Sequence, residues 1–354
     1  MVPKSTTLCY NSIMISEIKD FNLEELKKEL ARRGIPEFRA SQVFHWLYKQ
    51  QVASFWEMNN LPRDMIKLLE ENYSLSAVTT AQEFISKDDS RKYLLKLKDG
   101  NQIETVLIPN PDRQTVCLST QVGCKFCCRM CASGLKKFVR NLTAAEILEQ
   151  LLYAQKKAGS RITNIVFMGM GEPLENFDQV IKAIRVINSS EGPEIAARKI
   201  TISTAGFIPG IKKIAEIELQ LNLSVSLHAT TDELRNELMP INKTYPIRDL
   251  VAACQNYFQK TKRIVTIEYV LLKGKNDAVD DARRLAGIVK ALKGKVNLIP
   301  FNPYTELKLE PTAREDMERF KYWLERDQVP VTIRDSRGSD IMAACGQLLG
   351  KAGQ

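Results

Sequence analysis

The chain of 354 residues carries 51 Lys and Arg against 42 Asp and Glu, a net charge of +9, with only 2 His but 8 Cys. Hydrophobic residues at 44% and charged residues at 26% exclude a disordered or fibrous chain. No run reaches the roughly 18 apolar residues of a membrane span. The opening MVPKSTTLCYNSIMISEIKD lacks an apolar stretch followed by a small-residue cleavage site, so a cytoplasmic protein is expected. In that reducing compartment, cysteines serve metals or catalysis before structural disulfides. The positive surplus suits a nucleic-acid partner without demanding one.

Residues 20–75 read as short helices, LEELKKELARRGI, SQVFHWLYKQ and PRDMIKLLEENY. They carry Lys27, Lys28, Arg32, Arg33, Arg39 and Lys49 beside Phe38, Trp46 and Tyr48. Such a charged face is ordinarily just solvated, and RNA docking on basic and aromatic side chains is the alternative. Residues 77–108 read as an antiparallel meander with a hairpin turn at Asp99-Gly100.

Five of the cysteines fall in CLSTQVGCKFCCRMC, from Cys117 to Cys131. Cys124, Cys128 and Cys131 form a C-x3-C-x2-C run, and soft thiolates at that spacing suit the irons of an iron–sulfur cluster. Three ligands leave one iron of a four-iron cluster open to a small molecule. Structural zinc is the competing reading, but it takes four Cys or His ligands, and neither His45 nor His228 lies near the loop. Cys127 leaves a second register open with Cys124.

Strands and helices then alternate. TAAE at 143–146 is a capping box ahead of Ile147, Leu148, Leu151 and Leu152. Strand-like runs at 116–119 and in ITNIVF, KITIS, LNLSVSL, RIVTIEYVLL and KVNLIP make six β/α units between about 115 and 300. Six are too few for a closed eight-stranded barrel, so an α/β partial barrel, (β/α)6, is expected. Chemistry in such folds collects at the strand C-termini. There the sequence places GMGEP at 169–173, Ser203 and Thr204, Ser226 to His228, and Asn302. The organisation expected is a helical accessory domain over 1–75, an antiparallel extension over 76–112 and a catalytic partial barrel over 113–354.

The cysteine run and GMGEP resemble the radical S-adenosylmethionine enzymes, although Met130 stands where an aromatic usually precedes the third cysteine. The likeness extends further. CLSTQVGC at 117–124, RNLTAAEI at 140–147, MGMGEPLEN at 168–176, VSLHA at 225–229, LMPIN at 238–242, NLIPFNP at 297–303 and ACGQLLG at 344–350 resemble the RlmN/Cfr family of adenosine methyltransferases. That resemblance implies a [4Fe–4S] cluster on Cys124, Cys128 and Cys131, and two S-adenosylmethionine molecules per turnover. Gly171, Glu172, Ser203, Ser226, Leu227, His228 and Asn302 would bind the cofactor. Cys345 would carry a methyl group, Cys117 would resolve the adduct through a transient disulfide, and Glu104 would accept a proton. Glu104 lies on an otherwise apolar strand with Val106 and Ile108.

The implied reaction is methylation of carbon 2 of an adenine in 23S rRNA and in a tRNA anticodon loop, with carbon 8 of the same rRNA adenine as the alternative. The partners implied are those RNAs and a one-electron reductant such as flavodoxin, with the enzyme a monomer away from membranes. Lys125, Arg129, Lys136, Lys137 and Arg140 flank the cluster in a run free of acids, suited to phosphate contact. Readings from other classes are a radical-generating activase, which has no need of Cys117 and Cys345, and a zinc-dependent RNA-binding module. Cys9, Cys127 and Cys254 carry no implied role.

Overall fold

The computed structural model describes residues 16–304 and 306–350; Cys9 lies outside the described residues. Its centre is one sheet of ten strands: β1 (Val78–Ile85), β2 (Arg91–Leu97), β3 (Gln102–Asn110), β4 (Arg113–Cys117), β5 (Asn164–Phe167), β6 (Ile200–Thr204), β7 (Asn222–Ser226), β8 (Thr266–Leu271), β9 (Lys295–Pro300) and β10 (Val331–Ile333). Each strand lies beside its neighbour in sequence. Pairing is antiparallel from β1 to β4 and parallel from β4 to β10.

The six expected β/α units are present. The short strand β10 adds a seventh parallel member, too brief and too weakly apolar to stand out in sequence. The meander is continuous with the barrel sheet, because β3 pairs with β4 in the register Leu107↔Val116 and Val106↔Cys117. Asp99 and Gly100 make the expected turn between β2 and β3, with the Gly100 N–H donating to the Leu97 carbonyl at 3.0 Å. Strand order never reverses, so the parallel part curls. Phe167, Ser203, Ser226, Glu268 and Ile299, from five successive strands, all reach one cavity at the C-terminal ends.

Helices cover the outer face. In α4 (Ala144–Ala158), Thr143 and Glu146 form the expected capping box and Gly159 ends the helix in the left-handed region, a pairing of start and stop worth about 1 kcal/mol at each end. Ile147, Leu148 and Leu151 are wholly buried against the sheet. The helices that follow are α5 (Phe177–Asn188), α6 (Ile208–Ile214) and α7 (Asp232–Leu238).

Ahead of the N-terminal helices α1 (Leu23–Arg32), α2 (Phe38–His45) and α3 (Arg63–Asn72), the turn Ile18–Asp20 packs on the first half of α4. Lys19 forms a buried ion pair with Glu149, and the Asp20 carboxylate accepts from the Ala145 N–H at 2.8 Å. That N–H belongs to the first turn of α4, where a negative charge is favoured by the helix dipole. Among the described residues no helix is long and apolar enough to cross a membrane.

Candidate active site

Beyond β4 the chain crosses the strand ends as the cysteine loop, pinned where Gln121 and Val122 pair with Asn141 and Arg140. Gly123 sits at that crossing with φ +76°, and a Cβ there would lie 2.2 Å from the Lys137 carbonyl oxygen. The loop carries Cys124, Cys128 and Cys131 into the wall of the large cavity. Cys127 is exposed, with positive φ and its thiol against the Lys125 carbonyl. Placement therefore separates the two registers that sequence left open.

Burial pushes the Cys124 thiol up to about 12 and the Cys128 and Cys131 thiols upward as well, with mutual repulsion adding to the effect. Thiolates at these positions need a positive partner. Among the described residues, no three His, Cys, Asp or Glu side chains converge on a single-ion site. The three sulfurs instead surround a space shared with the strand ends. A donor set of three soft sulfurs around a cavity fits a multi-iron cluster, each iron taking one thiolate.

The cavity encloses roughly 990 Å³, mouth included, and is lined by Gly171, Glu172, Ser203, Ser226, His228 and Asn302 as well as by Cys345. Its lining, mostly apolar with a few convergent polar groups, is that of a small-molecule site. Gly171 has φ +99°, and a Cβ would lie 2.5 Å from that of Gln121, so only glycine fits. Glu172 is buried and accepts from the Leu174 N–H at 3.1 Å and the Ala205 N–H at 2.8 Å; burial pushes its carboxyl up to about 7. An ammonium ligand there would restore the charge. Leu227 is a wall residue rather than a lining one. Its N–H donates to the Glu268 carbonyl at 3.0 Å, which ties β7 to β8. Met130 is buried in the lining, a soft apolar surface in place of an aromatic ring.

His228 has φ +54° and its Nδ1 accepts from the Val270 N–H at 3.0 Å, which leaves the ring proton on Nε2. Burial, with the Arg235 charge adding, lowers its pKa from 6.5 to about 3. The unfolded chain therefore binds a proton between pH 6.5 and 3 that the folded chain refuses. Stability is full above about pH 6.5 and falls on acidification, by about 1.4 kcal/mol per unit within that window. His228→Asn keeps an acceptor for Val270 without the titration. Between pH 7 and 5, urea unfolding should show wild type losing about 2 kcal/mol more than the variant; equal losses would remove the argument.

Cys345 comes from the C-terminal segment. It lines the large cavity and also a second, small cavity behind it, which it shares with Cys117 and Arg334. Asn302 donates to the Cys345 carbonyl at 3.1 Å, so it holds this segment as well as facing the cavity. Cys117 ends β4, and burial pushes its thiol up to about 12, with Cys345 adding to the rise and Arg334 opposing it. Glu104 does not sit among apolar groups alone, as its strand suggested. It is 1% exposed and ion-paired with Lys92 at 3.0 Å, and it accepts from the Leu349 and Gly350 N–H groups at 2.6 and 2.9 Å.

Several site residues were not singled out by sequence. Gln121 accepts from the Glu172 N–H at 2.8 Å and donates to Glu175 and Asn141, linking the cysteine loop to the GMGEP turn. Ser119 donates to the Glu104 carbonyl at 2.6 Å and accepts from the Met170 N–H at 2.9 Å. Their place inside CLSTQVGC was the available signal. Arg235, fully buried, donates to carbonyls of Ala205, Ser226 and Leu227. Glu268 lines the cavity, and its carboxyl is raised by burial, with Arg334 opposing. Glu268 lies in VTIEYVLL at 265–272, another run that resembles the family, which was its signal; nothing in sequence marked Arg235 or Arg334.

Two electrostatic expectations are corrected. Three of the five basic residues near the cysteines have acidic neighbours: Lys125 pairs with Glu175 at 2.6 Å, and Arg140 with the distant Asp99 at 2.6 Å and with Glu146, six residues on, at 2.7 Å. Arg129 lies 3.9 Å from Glu237. In the N-terminal helices Tyr48 is buried, because a π-helical turn at Trp46–Gln50 rotates it inward, while Phe38 and Trp56 are the exposed large aromatics. Lys27, Arg33 and Lys49 pair with Glu24, Glu29 and Glu194.

Residues 118–286 match the radical SAM superfamily, and residues 16–75 match the ribosomal RNA large subunit methyltransferase N-terminal domain. A solved radical SAM methyltransferase from Sphaerobacter thermophilus superposes with a TM-score of 0.92 at 42% identity, covering 95% of this chain and 100% of that one. Fold and cysteine loop together define a radical S-adenosylmethionine methyltransferase, and with that class come a [4Fe–4S] cluster and S-adenosylmethionine as cofactors. Among curated proteins, the dual-specificity RNA methyltransferase RlmN of Geotalea uraniireducens is 43% identical over 95% of this chain and 97% of its own. That of Geobacter sulfurreducens is 44% identical over 95% and 92%. The chain belongs to the RlmN family of RNA methyltransferases.

Proposed function

We propose that this enzyme methylates carbon 2 of an adenine in 23S rRNA and in a tRNA anticodon loop, through a methyl group carried on Cys345 and a transient Cys345–Cys117 disulfide. The observation that carries the reading is the position of Cys345 in the wall between two cavities, one shared with Cys124, Cys128 and Cys131, the other with Cys117. That position supports a sulfur that takes a methyl group from one side and meets a resolving thiol on the other.

The chemistry requires such an arrangement. Carbon 2 of adenine is an electron-poor amidine carbon and does not attack the electrophilic methyl of S-adenosylmethionine. Cys124, Cys128 and Cys131 would hold the cluster, and Gly171, Glu172, Ser203, Ser226, His228 and Asn302 the cofactor, with Leu227 shaping the wall. Bound there, the cluster and S-adenosylmethionine supply one-electron cleavage of a sulfonium bond, in addition to the methyl group itself, hence two molecules per turnover and a one-electron donor such as flavodoxin.

Cys345 accepts the methyl as a thiolate nucleophile, beside the Arg334 guanidinium. Once the methyl carbon has lost a hydrogen atom and joined the base, the adduct is a radical: Glu104 would take the ring proton and the surplus electron would return to the one-electron couple, with two further electrons from the donor reducing the Cys345–Cys117 disulfide between turnovers. The Cys117 thiolate then attacks the Cys345 sulfur, the sulfur–carbon bond breaks, a disulfide forms and the released carbon is protonated. An adenine reaching a sulfur at this depth must leave its stack, so the substrate is a single-stranded or looped region. We assign docking to residues 1–75, with exposed Phe38 and Trp56, and catalysis to 113–354, joined by the meander over 76–112. The enzyme acts in the cytoplasm as a monomer.

Mass spectrometry of nucleosides from a strain lacking the gene should show loss of 2-methyladenosine; unchanged levels overturn the reading, and loss of 8-methyladenosine instead assigns carbon 8. Protein purified without oxygen should be brown and absorb in the visible. A colourless, zinc-containing preparation would remove the cluster.

A further inference from the structure

We propose that Lys92 is a positioning residue that clasps both ends of the segment carrying Cys345, through Glu104 at one end and a carbonyl at the other. The inference rests on the reading that Cys345 carries the methyl group and Glu104 takes the proton, and it assigns to the meander a part in that site.

Lys92 is a lysine with a side chain only 2% exposed, on the central strand of the meander. In the register of β2 and β3 it lies diagonal to Glu104, since Lys92 pairs with Val106 and Leu94 with Glu104, so both side chains share one face. The Nζ sits 3.0 Å from Glu104 Oε1, donates to the Met342 carbonyl at 3.2 Å and lies 4.9 Å over the Phe84 ring. Glu104 Oε2 accepts from the N–H groups of Leu349 and Gly350. Met342 precedes Cys345 and Leu349 follows it. One cation and one anion, bonded to each other, therefore close a loop whose middle is the reactive cysteine.

The rest of the segment is held on the same surface. Asp340 accepts from the Ser86 hydroxyl and the Lys87 N–H, and the Gly338 N–H donates to Asp88, all in the turn between β1 and β2. Burying a lysine and a glutamate is costly unless each is paired and hydrogen-bonded. Here each is, and the bonds left over from the pair go to the Cys345 segment. Protonating Glu104 would remove the ionic half of the clasp and weaken its two N–H bonds, so proton uptake from the base would itself loosen the segment as Cys117 must reach Cys345.

The test compares Lys92→Met, Glu104→Gln and the double variant with wild-type full-length protein. Each is treated anaerobically with iodoacetamide, and alkylation at Cys345 and at buried Cys254 is followed by peptide mass spectrometry. Lys92→Met leaves a buried unpaired carboxylate and Glu104→Gln a buried unpaired ammonium, so both single variants are expected to melt below wild type and are read at a temperature where Cys254 stays protected. The double variant removes both charges together and is expected to melt within a few degrees of wild type. In Glu104→Gln and in the double variant, Cys345 should react roughly tenfold faster, with Cys254 still protected. A Cys345 rate within twofold of wild type in both overturns the clasp, and so does equal acceleration at Cys254, which would report general loosening. Only the free thiol of Cys345 alkylates, so the unmethylated fraction is first distinguished by peptide mass and the rate is read on that fraction; failure here then leaves the methyl-carrier reading intact, and that reading fails or stands on product analysis.

Discussion

Cys345→Ala is expected to reduce RNA methylation by roughly 10⁴-fold or more, the scale seen when a covalent nucleophile is removed. The variant should remain folded. Cys345 is half-buried, and its segment is held by the backbone bonds to Asn302 and Glu104 and by the Ala132 N–H to the Gly346 carbonyl at 2.7 Å, none of which uses the sulfur. Visible absorbance of the cluster and reductive cleavage of S-adenosylmethionine should persist, because Cys124, Cys128 and Cys131 are untouched. Retained methylation, measured as methyladenosine in a defined rRNA fragment, would remove Cys345 as the carrier. Cys117→Ala separates the steps: the base should become attached but not released, so RNA should migrate with the denatured protein. Free product from that variant at wild-type rate would assign resolution to another group.

Arg235→Met should be the most damaging change away from the cysteines. The Arg235 guanidinium is fully buried in α7 and donates to carbonyls of Ala205 at 2.8 Å, Ser226 at 3.1 Å and Leu227 at 3.1 Å, and to Asn242 at 2.8 Å. These carbonyls close β6 and β7, directly behind Ser203, Ser226 and His228. Burial lowers the Arg235 pKa to about 10, with Cys128 and Asp232 opposing, so it stays cationic at neutral pH. Removing it strands several buried acceptors at once, a loss of about 3–5 kcal/mol by analogy with broken buried polar pairs. Arg235→Lys keeps the charge but not the planar fork. It is expected to fold and to bind S-adenosylmethionine about tenfold more weakly, one strand-end loop having lost its tether. Calorimetry of binding to the lysine variant, with melting curves for both, checks this; wild-type affinity in Arg235→Lys would show that the tether does not shape the site.

Both predictions concern groups whose visibility in the sequence differs sharply. Cys345 was legible because a reactive residue type stands in a distinctive run, ACGQLLG, and chemistry limits what a cysteine can do. The strands were legible because buried β-branched runs alternate with amphipathic helices, and GMGEP was legible because it resembles the glycine–glutamate motif of the radical S-adenosylmethionine enzymes and stands among other polar strand ends, where a glycine turn alone is ordinarily just a turn. Arg235 was not. An arginine in a short charged helix reads as surface, and only the packing of α7 under the strand ends buries it.

The loop from Cys124 to Arg140 shows the same divide from the other side. Its basic residues are contiguous in sequence and looked available to phosphate, yet Glu175, Asp99 and Glu146 come to them from other elements. Coulomb interactions decay with distance in space, not along the chain, so sequence patterning cannot count pairs that folding creates. Glu104 is a further case: its strand is apolar as predicted, but Lys92 and the C-terminal segment supply polar partners from elsewhere in the chain.

The sequence by itself thus determined the fold class, the family and the residues able to carry thiolate chemistry, because periodicity and residue type are local properties. Folding alone settles which of two adjacent cysteines faces the cavity, and that Cys345 stands between the cysteine loop and Cys117. It also decided which charges are already spent on each other. Those depend on distances between segments far apart in the chain, and such distances exist only once the sheet has curled and the C-terminal segment has closed over it.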